Sequence, residues 1–375
     1  MLRLILIIIF FLGSLLTVFP APILFCWYVA ILVTEFPWVF IAATLLLVIW
    51  GFGIRGTGLA GTMLGTFALV LFLRPIVGAH IISTKLDESL QEAFGKYEIN
   101  DAVPAFNVTG MITGINAPQL PYKTLIYTPA GIAPLTLDYY AAQQSDNRPC
   151  VVVVHGGSWA GGTSQQLPEL NSYLAKAGYN VATINYRLAP EFKSPSQVED
   201  LHVAVDYLKR NAQMLNIDTS NLVLLGRSAG GQIVLEAAYT FNDPCIKGVV
   251  SYYGPADMIW GYQHPANRMV YHSCEVLENY IGGTYSAMPQ KYADASPVLA
   301  VTPRSVPTLL IQGKLDVLVA YQHSPRLVEK LNADHVPNYL LSLPWATHGC
   351  DYTLNGPSGQ LATYAVSRFL EKVCK

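Results

Sequence analysis

The chain has 375 residues, more than one typical domain of roughly 100–200 residues, and this length is compatible with one large domain plus an appendage. Hydrophobic residues make up 52% and charged residues 13% of the chain, and the formal net charge is −2. No basic patch is visible in the sequence, which argues against a nucleic-acid-binding protein.

The charged residues are distributed unevenly along the chain. Residues 1–83 carry four of them, Arg3, Glu35, Arg55 and Arg74. The rest of this region is mostly apolar and contains runs near the length that crosses ~30 Å of hydrocarbon. These runs are Leu4–Val18, Phe36–Trp50 and Leu59–Leu73, with a shorter one at Ile23–Val33.

We therefore predict that residues 1–83 form an integral, multi-pass membrane anchor of three or four segments, whose partner is the lipid bilayer. A cleaved signal peptide is the alternative for the first run, but no A-x-A site lies between Val18 and Pro22. The side of the membrane that holds the remaining chain depends on the number of crossings, and both sides stay open.

Five glycines, at positions 51, 53, 56, 58 and 61, form two formal G-x-G-x-x-G matches. A dinucleotide fingerprint needs a preceding β-strand, whereas apolar runs of membrane type flank these glycines. The pattern therefore predicts a flexible turn. The six cysteines include no CxxC pair and no metal-type spacing, so they indicate neither a disulfide framework nor a zinc site. We expect no metal and no organic cofactor.

Residues 84–119 are polar and read as a connector, and residues 120–375 alternate between strand and helix patterns. This alternation predicts an α/β fold with a mostly parallel central sheet and helices on both faces. The predicted strands are Thr124–Tyr127, Leu135–Tyr139, Val151–Val154, Val181–Asn185, Leu222–Leu225, Val249–Tyr253, Thr308–Ile311 and Tyr339–Leu343. The predicted helices are Val198–Asn211, Ala229–Tyr239, Ser324–Leu331 and Gly359–Val373.

One serine lies in a pattern that is typical of a catalytic nucleophile. Gly226-Arg227-Ser228-Ala229-Gly230 is a G-x-S-x-G sequence that directly follows a predicted strand and precedes an apolar helix. A tight strand-to-helix turn of this kind projects the serine hydroxyl over the carboxyl ends of the strands. We therefore predict that Ser228 is the nucleophile.

A nucleophilic serine needs a base, and the base needs an acid that fixes its tautomer. His348 follows the last predicted strand, and Asp316 follows the strand at Thr308–Ile311, which gives the chain order serine, acid, histidine. Asp257 is an alternative acid one strand earlier, although it could also cap the helix that follows it.

The tetrahedral intermediate also needs hydrogen-bond donors for its oxyanion. His155-Gly156-Gly157-Ser158 follows the four-valine strand, at the place of the H-G-G-G element of esterases. The backbone N–H groups of Gly156, Gly157 and Ala229 are the predicted donors.

With these motifs, the chain resembles the feruloyl-esterase-like and hormone-sensitive-lipase-like branches of the α/β hydrolases over roughly residues 120–372. Asn185-Tyr186-Arg187 is also part of the resemblance, and its arginine could pair with Glu199 or Asp200 as scaffold. Arg227 before the nucleophile and Ser158 in place of the third glycine depart from the hormone-sensitive-lipase pattern and favour the feruloyl-esterase-like branch. The resemblance implies hydrolysis of carboxylic esters through an acyl-enzyme.

An insertion at about residues 255–300 occupies the position of a cap over the site. Its aromatic residues either line a pocket for an apolar or aromatic acyl group or form a small core of their own; they are Trp260, Tyr262, Tyr271, Tyr280, Tyr285 and Tyr292. A small-molecule ester is the expected substrate. An amidase or peptidase with the same triad and a non-catalytic, membrane-tethered binding protein are the alternatives.

Overall fold

The computed structural model describes residues 1–51, 57–96, 103–114, 119–128, 133–144 and 146–374. The strands, in chain order, are β1 (Lys123–Ile126), β2 (Thr136–Tyr140), β3 (Arg148–Val154), β4 (Asn180–Ile184), β5 (Ile217–Arg227), β6 (Ile246–Tyr252), β7 (Thr308–Gly313) and β8 (Asn338–Leu343). The N-terminal helices are α1 (Leu2–Leu15), α2 (Leu24–Glu35), α3 (Pro37–Trp50) and α4 (Thr57–Phe94).

The later helices connect and cover the strands. They are α5 (Gly110–Thr113), α6 (Glu169–Lys176), α7 (Ser196–Arg210), α8 (Ala212–Leu215), α9 (Ala229–Thr240), α10 (Met258–Gln263), α11 (Ser273–Ile281), α12 (Pro289–Asp294), α13 (Pro297–Ala300), α14 (His323–Ala333) and α15 (Pro357–Val373).

The strands form one sheet in the order β1-β2-β4-β3-β5-β6-β7-β8. The β1–β2 and β2–β4 pairs are antiparallel, and every later pair is parallel. This confirms the mostly parallel sheet that the sequence predicts. The four valines of β3 are fully buried between β4 and β5, as expected for a central strand covered on both faces.

Helices cover both faces of the sheet. Successive residues of β3 point to opposite faces, so Val152 and Val154 pack in one apolar core and Val151 and Val153 in the other. The first core includes side chains of α7 and α9, and the second includes side chains of α4, α6 and α15. The cap-position insertion between β6 and β7 consists of α10 to α13.

The N-terminal helices do not match the number of membrane segments predicted from the sequence. Among the described residues, one helix is long and apolar enough to cross a membrane, Gly58–Phe94 within α4. Helices α2 and α3 meet that test as a pair, but they are bent by 89° at the break between them. Helix α1, with 14 residues, is about 21 Å long and shorter than the ~30 Å hydrocarbon core. This geometry does not support the three or four crossings predicted from the apolar runs.

Helix α4 joins the two parts of the chain. It passes through residue 83, where the sequence placed a boundary, and its last turns pack on the second core of the sheet. Leu86 and Leu90 are fully buried there, and the Phe94 and Phe369 rings lie 4.9 Å apart. Hydropathy alone does not reveal this, because both halves of α4 are apolar on the buried side. The predicted glycine turn lies in part outside the described residues, as does part of the connector.

Candidate active site

The serine predicted as nucleophile lies at a strained turn between β5 and α9. Ser228 has φ +53° and ψ −118°, a conformation that a non-glycine residue adopts at a cost. A Cβ atom on Gly230 would lie 2.2 Å from the carbonyl oxygen of Val154, and one on Gly226 would lie 2.1 Å from that of Gly230. Both glycines of the G-x-S-x-G pattern are therefore required by close backbone contacts.

The structure brings together the three residues predicted as a triad. His348 Nε2 lies 3.0 Å from Ser228 Oγ, and His348 Nδ1 lies 2.8 Å from Asp316 Oδ2. The Asp316 carboxylate also accepts hydrogen bonds from the backbone N–H groups of Leu318 and Val319, each at 2.9 Å, which fix its orientation. An imidazole held between a hydroxyl and an oriented carboxylate is the arrangement that a serine nucleophile needs.

Asp257, the alternative acid, makes other contacts. Its carboxylate caps α10 by accepting the backbone N–H of Trp260 at 2.9 Å, and it binds the Arg326 guanidinium at 2.8 Å. The neighbouring His323 accepts the backbone N–H of Asp257 at 3.2 Å. Burial lowers the pKa of His323 to about 4, so this imidazole is neutral at physiological pH.

The three predicted oxyanion donors differ in their hydrogen bonds and backbone conformation. Gly156 lies beside the nucleophile, because a Cβ atom there would be 3.2 Å from Ser228 Cβ. Its N–H, however, donates to Gln166 Oε1 at 2.7 Å, and a role as an oxyanion donor would require this bond to break. Gly157 has φ +121°, a conformation suited to glycine. Ala229 lines the cavity that contains Ser228.

That cavity has a volume of about 330 Å³, within the range of small-molecule sites. Of the six cap aromatics, Tyr271 lines it. Tyr262, Tyr285 and Tyr292 instead pack against one another, with ring centroids 5.2–6.2 Å apart. Three of the six aromatic residues therefore form a small core of the cap itself.

Ser158, which stands where the third glycine of the H-G-G-G element would be, has a clear structural role. Its Oγ lies 2.5 Å from the Tyr271 hydroxyl, so it ties this loop to the cap. The predicted scaffold pairing is present as well. Arg187 binds both Asp200, at 2.8 Å, and Glu199, at 3.0 Å.

Sequence reasoning missed a buried ionic cluster next to Ser228. Arg227 Nε lies 2.5 Å from Asp351 Oδ2, and the other carboxylate oxygen of Asp351 accepts from the Tyr253 hydroxyl. The Tyr253 ring lies 4.4 Å from the His348 ring. The signal available in the sequence was Arg227 itself, because a charged side chain at the end of a buried strand requires a counter-charge.

Comparison with known proteins places the chain in a family. The BD-FAE family model matches residues 137–331, more than half of the chain.

The chain belongs to the BD-FAE family.

This assignment and the sheet topology agree with the α/β-hydrolase resemblance. Esterase LipC of Mycobacterium tuberculosis is 29% identical over 240 residues, which cover 60% of this chain and 58% of LipC. LipM of the same organism, a probable carboxylic ester hydrolase, is 28% identical over 240 residues, which cover 60% of this chain and 54% of LipM. The chain thus matches little more than half the length of these relatives.

Solved structures share the fold. An esterase from Pyrobaculum calidifontis superposes with a TM-score of 0.60 at 20% sequence identity, covering 80% of this chain and 94% of that one. At this level of identity the similarity establishes the α/β-hydrolase fold of the BD-FAE chain and not its substrate.

Proposed function

We propose that this protein is a serine hydrolase that cleaves carboxylic esters through an acyl-enzyme. The observation that carries the proposal is the continuous hydrogen-bonded chain from Ser228 through His348 to Asp316, beside a cavity of about 330 Å³. Membership of the BD-FAE family and similarity to curated esterases support the same reaction class.

In this mechanism, Ser228 Oγ attacks the ester carbonyl carbon while His348 Nε2 takes the hydroxyl proton. Asp316 holds the imidazole in the required tautomer and stabilises the imidazolium. The backbone N–H groups of Gly157 and Ala229 stabilise the oxyanion, and that of Gly156 joins them if Gln166 yields its bond. His348 then returns the proton to the leaving alcohol. A water molecule then attacks the acyl carbon while His348 Nε2 takes its proton. The bond to Ser228 Oγ breaks as His348 returns the proton to the serine, and the carboxylic acid leaves.

The same triad can cleave amides, so an amidase or peptidase is the second candidate. A matched pair of substrates separates the two candidates: a p-nitrophenyl ester and the p-nitroanilide of the same acid. We expect turnover of the ester, because a leaving alcohol depends less on protonation by the His348 imidazolium than a leaving amine does. Faster turnover of the anilide would replace the ester hydrolase by an amidase.

We also propose that the apolar N-terminal helices associate the enzyme with a lipid bilayer. Large apolar side chains exposed along α1 to α4 support this, because monomeric soluble proteins rarely expose such continuous apolar surface. Co-flotation of the full chain with phosphatidylcholine vesicles tests it. Protein that stays at the bottom of the gradient, while remaining folded, would refute the association.

The test of the triad is labelling by a fluorophosphonate probe, followed by a series of p-nitrophenyl esters. We expect labelling of the wild type and none of Ser228→Ala. Asp316→Asn should slow labelling by on the order of 10³–10⁴-fold, because the imidazole loses its orienting carboxylate. Asp257→Asn is the matched control and should label at nearly the wild-type rate.

Two results would contradict these assignments. Equal loss in the two aspartate variants, with unchanged thermal stability, would reopen the choice of acid. A well-folded wild-type protein that neither labels nor turns over any ester would favour the non-catalytic binding protein.

A further inference from the structure

The substrate cavity is built from both parts of the chain. Pro20, Ala21 and Pro22, in the turn between α1 and α2, line the same cavity as Ser228. Two hydrogen bonds attach this turn to the cap. Asn267 Nδ2 donates to the Pro22 carbonyl oxygen at 3.1 Å, and the α2 end is held by a backbone bond of 3.1 Å to Met269. The turn is thus a wall of the site and not a remote tether.

The N-terminal helices also contact the loops that carry the acid and the base. Trp27 Nε1 donates to the carbonyl oxygen of His348 at 3.0 Å. Val317, the residue after Asp316, is partly buried and packs against a buried N-terminal apolar cluster that includes Ala21. The positions of both catalytic loops therefore depend on the N-terminal helices as well as on the sheet.

The outer side of this wall is apolar and exposed. Residues 4–34 contain no charged side chain. The large side chains that flank the wall have exposed fractions of 59% for Phe19, 71% for Phe25 and 68% for Met269. Close by in the same bundle, α4 has the length and composition of a membrane span. The wall thus separates the cavity from a surface that suits a hydrocarbon phase.

We infer that the turn at residues 20–22 is a substrate-binding wall and that the substrate is a lipid ester, whose apolar chain passes along this wall between the bilayer and the cavity. This inference rests on the proposed ester hydrolase function. It assigns the N-terminal region a role in substrate selection in addition to attachment. Pro20 and Pro22 are exposed, so their side chains can be changed without filling a packed core.

The test uses the full chain in phosphatidylcholine vesicles and two esters of different acyl length, p-nitrophenyl acetate and p-nitrophenyl palmitate. Pro22→Asp places a charge on the wall and Pro22→Trp narrows it. In both variants we expect the ratio of palmitate to acetate kcat/KM to fall by about tenfold or more, since a charge on an apolar path is poorly tolerated. Pro303→Asp makes the same change at an exposed proline that does not line the cavity, and its ratio should equal that of the wild type.

Fluorophosphonate labelling and thermal unfolding are measured on every variant, so that a folding defect is recognised. An unchanged ratio in the folded Pro22 variants would overturn the wall, and a wild type that hydrolyses acetate but not palmitate would overturn the lipid ester. If a second copy of the chain or another protein covers the apolar surface instead of lipid, added vesicles will leave palmitate turnover unchanged. That result would also overturn the inference. A wild type that neither labels nor turns over acetate would refute the proposed function itself.

Discussion

Replacing Asp351 by Asn removes the counter-charge of the Arg227 guanidinium, which is buried beside Ser228. The side chains of Arg227 and Asp351 are each 2% exposed, and their contact distance is 2.5 Å. Within the described part of the chain, neither terminal nitrogen of Arg227 meets a hydrogen-bond partner. The Asp351 carboxylate is therefore the main compensation for the buried positive charge.

The expected loss of stability follows from this burial. Removing one partner of a buried ion pair costs about 3–5 kcal/mol, because the remaining charge stays desolvated and uncompensated. Asn still accepts one hydrogen bond, so the effect should lie toward the lower end. For a domain of this size, about 2–4 °C of Tm corresponds to 1 kcal/mol, and we expect a Tm lower by roughly 6–15 °C.

Thermal unfolding followed by near-UV circular dichroism measures the effect. Asp146→Asn is the matched control, since Asp146 pairs with Arg148 at 3.4 Å with 67% of its side chain exposed, and it should change stability by less than about 1 kcal/mol. The double variant Arg227→Met/Asp351→Leu removes both charges and should recover most of the loss.

Two outcomes would refute this account of the cluster. In the first, Asp351→Asn destabilises no more than Asp146→Asn, which would mean that water or a relaxed backbone compensates the guanidinium. In the second, the double variant is as unstable as Asp351→Asn, which would mean that the hydrogen bonds of Asp351 matter more than its charge.

Three further predictions concern other parts of the molecule. Burial raises the pKa of Glu236 to about 7 from an unfolded value of 4.5, so the folded state binds an extra proton between these values. Stability therefore falls as pH rises from about 4.5 to about 7 and levels off above 7. Glu236→Gln should gain up to about 3 kcal/mol over the wild type between pH 5 and pH 8, and an equal gain at both pH values in thermal unfolding would contradict this. A Cβ atom on Gly230 would lie 2.2 Å from a β3 carbonyl oxygen, so Gly230→Ala should abolish labelling and destabilise the fold by about 1–3 kcal/mol. Gly161→Ala should do neither, because the nearest atom to its Cβ would be the Gly157 carbonyl oxygen at 3.9 Å. Trp27→Phe removes the hydrogen bond to the His348 carbonyl and should lower kcat for p-nitrophenyl acetate about fivefold with KM unchanged; a change in KM alone would argue against positioning of the base.

The sequence was sufficient to predict the strands and the residues that meet at one edge of the sheet. All eight predicted strands are present. An unbroken apolar run such as the four valines of β3 has to be buried on both faces, which a central strand of a covered sheet provides. Ser228, Asp316 and His348 follow different strands of one parallel sheet, so their convergence at its carboxyl edge could be expected from chain order. The choice between Asp316 and Asp257 needed the distances, since both residues follow a strand.

Contacts between distant segments could not be read from the sequence. The bonds of Arg227 to Asp351 and of Gly156 to Gln166 depend on side-chain directions that no local pattern encodes. The apolar runs at the N-terminus were equally ambiguous, because hydropathy measures what a helix can cross and not what it packs against. The length of each helix, the bend between α2 and α3 and the packing of α4 on the sheet appear only in the tertiary structure. The sequence by itself determined the mostly parallel sheet and the G-x-S-x-G turn, and it predicted the three residues of the proposed triad, because these depend on periodicity and chain order. The tertiary structure alone decided that an apolar turn at residues 20–22 lies against the cavity of Ser228, because that contact joins segments about 200 positions apart.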